Sequence, residues 1–221
     1  MRKDSVHRLV WVFVFGVTMG FFEAAVVVYL RKLYHPDGFK FPMLTYEAFD
    51  ELLLVVEIVR EAMSLLMLLA VGMVAGRRGL ERFAYFLYVF GAWDIFYYVS
   101  LYLTLDWPAS LATWDLLFLI PLPWVAPVWA PAMVALAFIV TSVVLVIHED
   151  RGRPLRPTLR EWSVAVLGGV VIVISFCWEG PRMMAGGIPQ SFPWWIWLFG
   201  MVLGLATFAR TARRANREAS A

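Results

Sequence analysis

An all-α polytopic membrane protein is the fold class this sequence predicts: six transmembrane helices, both termini cytoplasmic, and a single integral domain over residues 1–221. Three observations carry that expectation. The chain is 62% hydrophobic and 16% charged, with mean hydropathy +0.73, whereas soluble domains average about 45–50% apolar and about 25% charged. Apolar runs recur at the length needed to cross a hydrocarbon core about 30 Å thick. Finally, Lys and Arg are sorted into alternate connections.

The first run, about 9–30, follows Arg2, Lys3 and Arg8. It shows no small-residue cleavage site before Glu23, so the expectation is a retained helix and not a signal peptide. Gly16 and Gly20 give it a G-x-x-x-G face that permits close helix contact. Residues 31–49 form the longest external loop. The second helix, about 50–76, is apolar but carries Glu57, Arg60, Glu61 and Ser64 at i, i+3, i+4 and i+7, one polar stripe on a 3.6-residue helix.

A third helix follows at about 83–105, then the fourth at about 131–148, the fifth at about 162–178 and the sixth at about 192–209. Thr158 and Glu161 form a T-x-x-E capping box ahead of the fifth, and Ser191 with Pro193 marks the start of the sixth. Gly200 and Gly204 repeat the close-contact spacing in the sixth, and a basic cytoplasmic tail occupies 210–221.

The stretch 107–130 is the exception. Pro121, Pro123, Pro127 and Pro131 interrupt it, and proline removes backbone donors and breaks regular helix. It reads as a half-helix or a re-entrant hairpin on the outer side, or else as an interfacial segment anchored by Trp107, Trp114, Trp124 and Trp129. Counting it as non-crossing keeps Arg2, Lys3, Arg8, Arg77, Arg78, Arg82, the four arginines between 151 and 160 and the four of the tail on one side. Only Arg31, Lys32, Lys40 and Arg182 then fall opposite. That asymmetry is the positive-inside signature and indicates a bacterial inner or plasma membrane.

Acidic residues supply the candidate site. Depth reckoned at about 1.5 Å per residue places Glu23, Glu57, Glu61, Asp94 and Asp115 at similar depth in the outer half. Intramembrane charges are costly, about 2.5–3.5 kcal/mol each on insertion scales, and by default face the protein interior. Five carboxyls around Arg60 cannot all stay ionised in a dry pocket without protons, partners or a cation. Carboxylates without Cys or His suit hard metal ions such as Mg²⁺, Ca²⁺ or Mn²⁺; Arg60, Ser64, Tyr97 and Tyr98 are the expected substrate contacts. The bland alternative has Arg60 bridging Glu57 to another acid, with the other carboxyls protonated as interhelical glue.

Other chemistries are set aside on the same residues. The lone Cys177 excludes an internal disulfide and multi-cysteine metal sites. His7, His35 and His148 lie at helix ends or in a loop, which argues against an intramembrane haem. No phosphate-binding loop, dinucleotide fingerprint, nucleophile elbow or H-E-x-x-H is present. The E-x-x-x-E spacing of Glu57 and Glu61, with a re-entrant segment elsewhere, resembles one element of the undecaprenyl-pyrophosphate phosphatase family; that family's Gly/Ser/Arg-rich second motif has no counterpart here.

Three function classes stay open. The first is binding or transport of a cation, proton or divalent metal, or of a small solute coupled to it. The second is a membrane-embedded enzyme acting on a lipid or isoprenoid phosphate headgroup. The third is a non-catalytic subunit or assembly factor. Expected partners are the lipid bilayer and either further copies of the chain or other membrane subunits, with no nucleic acid.

Overall fold

A computed structural model describes residues 1–34, 51–120 and 122–218. The connection over 35–50, with His35 and Lys40, lies outside the described residues, as do Pro121 and residues 219–221. The helices are α1 (Lys3–Tyr34), α2 (Glu51–Ala75), α3 (Gly79–Leu105), α4 (Trp129–Asp150), α5 (Leu159–Cys177), α6 (Gly180–Met184) and α7 (Trp194–Glu218). Two short strands, β1 (Trp114–Phe118) and β2 (Trp124–Pro127), lie between α3 and α4.

Among the described residues five helical stretches are long and apolar enough to cross a membrane: Lys3–Leu33, Gly79–Leu105, Trp129–Asp150, Leu159–Met184 and Trp194–Glu218. They mark a multi-pass membrane protein. The expectation of six therefore meets five that qualify by length and composition, with α2 the further long helix and the one that carries Glu57, Arg60 and Glu61. Along α2 the buried residues are Glu61, Ser64, Leu68 and Gly72, while Val55, Val56, Val59, Met63 and Leu66 are exposed. Its polar stripe faces protein and its greasy side faces out, the reverse of a water-soluble helix.

Where a half-helix or a hairpin is expected at 107–130, the structure forms an antiparallel β-hairpin and no half-helix, so the chain is mostly but not wholly helical. Trp114 pairs with Pro127, Asp115 with Ala126, Leu116 with Val125 and Phe118 with Trp124, with an irregularity between Leu116 and Phe118. Prolines at 121, 123 and 127 deny a helix its donors, whereas the flanking Trp, Leu, Phe and Val residues suit a pleated surface. A lone two-stranded hairpin is marginal by itself; here Val125 and Ala126 are both fully buried, and Ala126 packs with Ala130 of α4, Phe176 of α5 and Trp197 of α7.

The basic tail is corrected too, because α7 continues through it to Glu218. Ala and Arg are good helix formers, and Arg214 is pinned by Glu161 at 2.9 Å and by the Arg156 carbonyl at 2.7 Å. The capping box of α5 is formed as expected: the Glu161 amide donates to Thr158 Oγ1 at 3.2 Å and the Thr158 amide to Glu161 Oε2 at 2.8 Å.

Two cores organise the bundle. One joins α1, α2, α3 and α4 through Leu9, Val12, Leu68, Tyr85, Val89 and Val146. The other joins β2, α4, α5 and α7 through Ala126, Ala130, Phe176, Trp197 and Met201. Glycine sets the closest approaches: a Cβ on Gly20 would lie 2.7 Å from the Trp93 carbonyl oxygen, and one on Gly200 would lie 2.7 Å from that of Gly168. Ion pairs gather six helix ends at one end of the bundle: Arg2 with Asp150 (3.1 Å), Arg8 with Glu81 (2.9 Å), Arg77 with Asp4, and Arg214 with Glu161 (2.9 Å). The hairpin lies at the other end.

Candidate functional site

Between the two cores runs a cavity of about 720 Å³, within the range of about 300–1,000 Å³ usual for ligand pockets. Glu23, Glu57, Arg60, Glu61, Asp94, Tyr97, Tyr98 and Asp115 all line it. Ser64, 2% exposed, stands behind Glu23. Residues expected from α1, α2, α3 and the proline-rich stretch are thus brought together around one space.

The α2 stripe does this because residues three and four apart share a helix face. Arg60 Nε donates to Glu57 Oε2 at 2.9 Å, one turn back, and its Nη1 donates to Glu23 of α1. Ser64 Oγ donates to the second Glu23 oxygen at 3.1 Å. Glu61 turns the other way, accepting the Leu119 backbone N–H at 2.9 Å. That bond supplies an acceptor to a hairpin amide, a group costly to bury unpaired.

Asp115, only 1% exposed, accepts from the Tyr98 hydroxyl at 3.1 Å and lies 3.5 Å from Arg31 Nη2. Burial pushes its carboxyl up to about 6, opposed by Arg31, then by the Tyr98 hydroxyl and the Leu116 amide. The Arg31 guanidinium lies 3.8 Å from the centre of the Trp107 ring, a cation–π contact. Tyr97 meets Tyr98 edge to face with ring centres 5.0 Å apart.

Arg31, expected only among the outer charges, also lines the cavity. The signal was available: Glu23, Val27 and Arg31 are spaced at i, i+4 and i+8, so they share a face of α1, and all three line the cavity. A helix ending at about 30 would leave Arg31 off that face; α1 runs to Tyr34.

Asp94 differs from the other four acids. It is half-buried, its Oδ2 is shielded from solvent, and that oxygen accepts no hydrogen bond. Its neighbour Trp93, 5% exposed and also lining the cavity, has an indole N–H with no acceptor. Trp124 Nε1, on the hairpin side, is likewise without one. Such groups are few in folded proteins and each calls for an explanation.

The expectation of a divalent-metal cage at Glu23, Glu57, Glu61, Asp94 and Asp115 finds no geometric support. Among the described residues no group of three or more His, Cys, Asp or Glu stands ready to hold a metal ion. The carboxylates are instead turned to guanidinium, hydroxyl and amide donors. What the site offers chemically is an excess of carboxyls over guanidiniums, five against two, beside an unpartnered acceptor and unpartnered indole donors. No protein-family model, curated protein or solved structure matches this chain.

Proposed function

We infer that the protein binds, and in its working cycle transports, a cation: a proton or a small ammonium-bearing solute taken up at the acid-rich end of the cavity. Asp94 carries the reading, as a carboxyl that lines the cavity with Oδ2 unpartnered. In a low-dielectric setting an uncompensated carboxylate takes up a proton or a counter-cation. The pairing of Glu23 and Glu57 with Arg60, and of Asp115 with Arg31, leaves Asp94 and Glu61 as the groups able to exchange one.

The wider assignment goes with it. Six crossings, with α2 as the second, both termini cytoplasmic and the acid-rich end towards the outside, fit the gathering of basic connections at one end of the bundle. A bacterial inner or plasma membrane is the proposed location. An enzyme gripping a lipid phosphate has less support, because both guanidiniums of the site are already engaged by carboxylates.

The test uses the full chain in lipid nanodiscs and methylamine as probe. Saturable methylamine binding is expected, falling as pH drops because protons compete for the same carboxyls, and weakened in Asp94→Asn. Absence of saturable binding, or binding indifferent to that substitution, overturns the reading.

A further inference from the structure

The acidic end occupies only part of the cavity. Below Asp94, the α3 side chains that line it are Trp93, Phe90, Leu87, Phe86, Phe83 and Leu80. From Asp94 to Phe83 the helix rises about 16 Å at ~1.5 Å per residue, about the depth of one leaflet of a core ~30 Å thick. Opposite stand apolar residues of α5 and α7, among them Val166, Ile172 and Leu205. Glu161 and Thr211 close the far end, and Glu161 is spent on Arg214 and the α5 cap.

A hydrophilic cation would use the acidic end and leave this apolar length without an occupant. We propose that the ligand is a single-chain amphiphile with a positively charged head, its ammonium beside Asp94 and Glu61 and its hydrocarbon chain along α3 towards Phe83. The proposal rests on the cation reading and narrows its substrate class. Three features select that occupant. The head region carries five carboxyls against two guanidiniums, which suits a cation and opposes a phosphate. The Trp93 indole, beside Asp94, is an aromatic surface of the type that favours ammonium groups. The wall beyond it is hydrocarbon and aromatic, as a bound chain requires.

A glycine makes the chain-binding half separately testable. Gly169 of α5 lines the cavity, and a Cβ added there would meet nothing within 4 Å. Gly169→Phe therefore adds a bulky side chain on the cavity wall at a point where its Cβ meets no packed atom. The full chain in nanodiscs is loaded with octadecylamine, octadecanol or octadecyl phosphate at equal mole fraction, and retained amphiphile is counted by native mass spectrometry. Methylamine binding is measured in parallel.

Octadecylamine is expected to be retained about tenfold more than octadecanol or octadecyl phosphate, a difference of ~1.4 kcal/mol. Gly169→Phe is expected to remove that retention while methylamine still binds, and Asp94→Asn to weaken both amines. Equal retention of the three long chains removes the charged head from the proposal. Octadecylamine held as well by Gly169→Phe as by the unsubstituted chain removes the groove; in both cases methylamine binding leaves the cation reading intact. Loss of methylamine binding from the unsubstituted chain sinks the two together.

Discussion

The two ends of the bundle use the same side chains to different effect. At the end that gathers the N-terminus of α1 and the C-terminus of α7, each buried acid has its own arginine: Glu81 has Arg8, Asp150 has Arg2 and Glu161 has Arg214. At the hairpin end Arg60 is shared by Glu23 and Glu57, Arg31 serves Asp115, Glu61 has a backbone amide, and Asp94 Oδ2 has nothing. One end is matched and tied to helix termini; the other is short of positive charge and faces a cavity. The difference separates ion pairs that tie helix ends together from the end where we propose a cation binds.

Arg60→Ala tests the hairpin end most severely. It strands Glu23 and Glu57 together, and removing one partner of a buried pair costs about 3–5 kcal/mol. A large drop in thermal unfolding temperature is expected in detergent-purified protein. Adding Glu23→Gln to Arg60→Ala should recover part of the loss, since a stranded charge is removed. Equal instability of single and double variants would show that Arg60 acts mainly through packing.

Next comes Tyr98→Phe, which deletes the hydroxyl donated to the fully buried Asp115. Loss of a hydrogen bond to a buried acceptor costs about 1–3 kcal/mol. Because Asp115 anchors β1, the expected signature is faster proteolytic nicking within 107–128 than elsewhere. Uniform destabilisation across the chain would instead make the hairpin and the helices one cooperative unit.

How much of this was legible in the sequence follows from which physics is local. The α2 stripe was, because helical spacing alone puts Glu57, Arg60, Glu61 and Ser64 on one side. The capping box at Thr158 was, since its two bonds lie within four residues. The hairpin was legible only in part: prolines excluded regular helix and left a half-helix or a hairpin, but strand pairing of Trp114 with Pro127 depends on a turn and on helices that receive it. Nor were the carboxylate directions legible. Counting acids at similar depth says nothing of where their oxygens point, and Arg31 became visible only once α1 was seen to run to Tyr34.

At the matched end Glu161→Gln is the smaller counterpart. Gln keeps the capping geometry of Thr158 but loses the charge facing Arg214, which is itself partly exposed. About 0.5–1 kcal/mol is expected, read as a modest fall in unfolding temperature that shrinks further in high salt. Methylamine binding should be unaltered. A change in binding as large as that of a hairpin-end variant would erase the distinction between the ends.

Asp94→Asn should disturb stability least and binding most. Substituting the isosteric amide removes a charge whose Oδ2 has no hydrogen-bond donor, so no native bond is broken and the desolvation of a carboxylate is relieved. The unfolding free energy should change by no more than ~0.5 kcal/mol, in either direction. Structural acids behave oppositely, since their loss strands a partner. If Asp94→Asn lowers stability as far as Tyr98→Phe does, Asp94 is holding the bundle together and the contrast between the two ends fails. If it leaves unfolding untouched while cation binding falls, the acid is kept for the ligand and not for the fold.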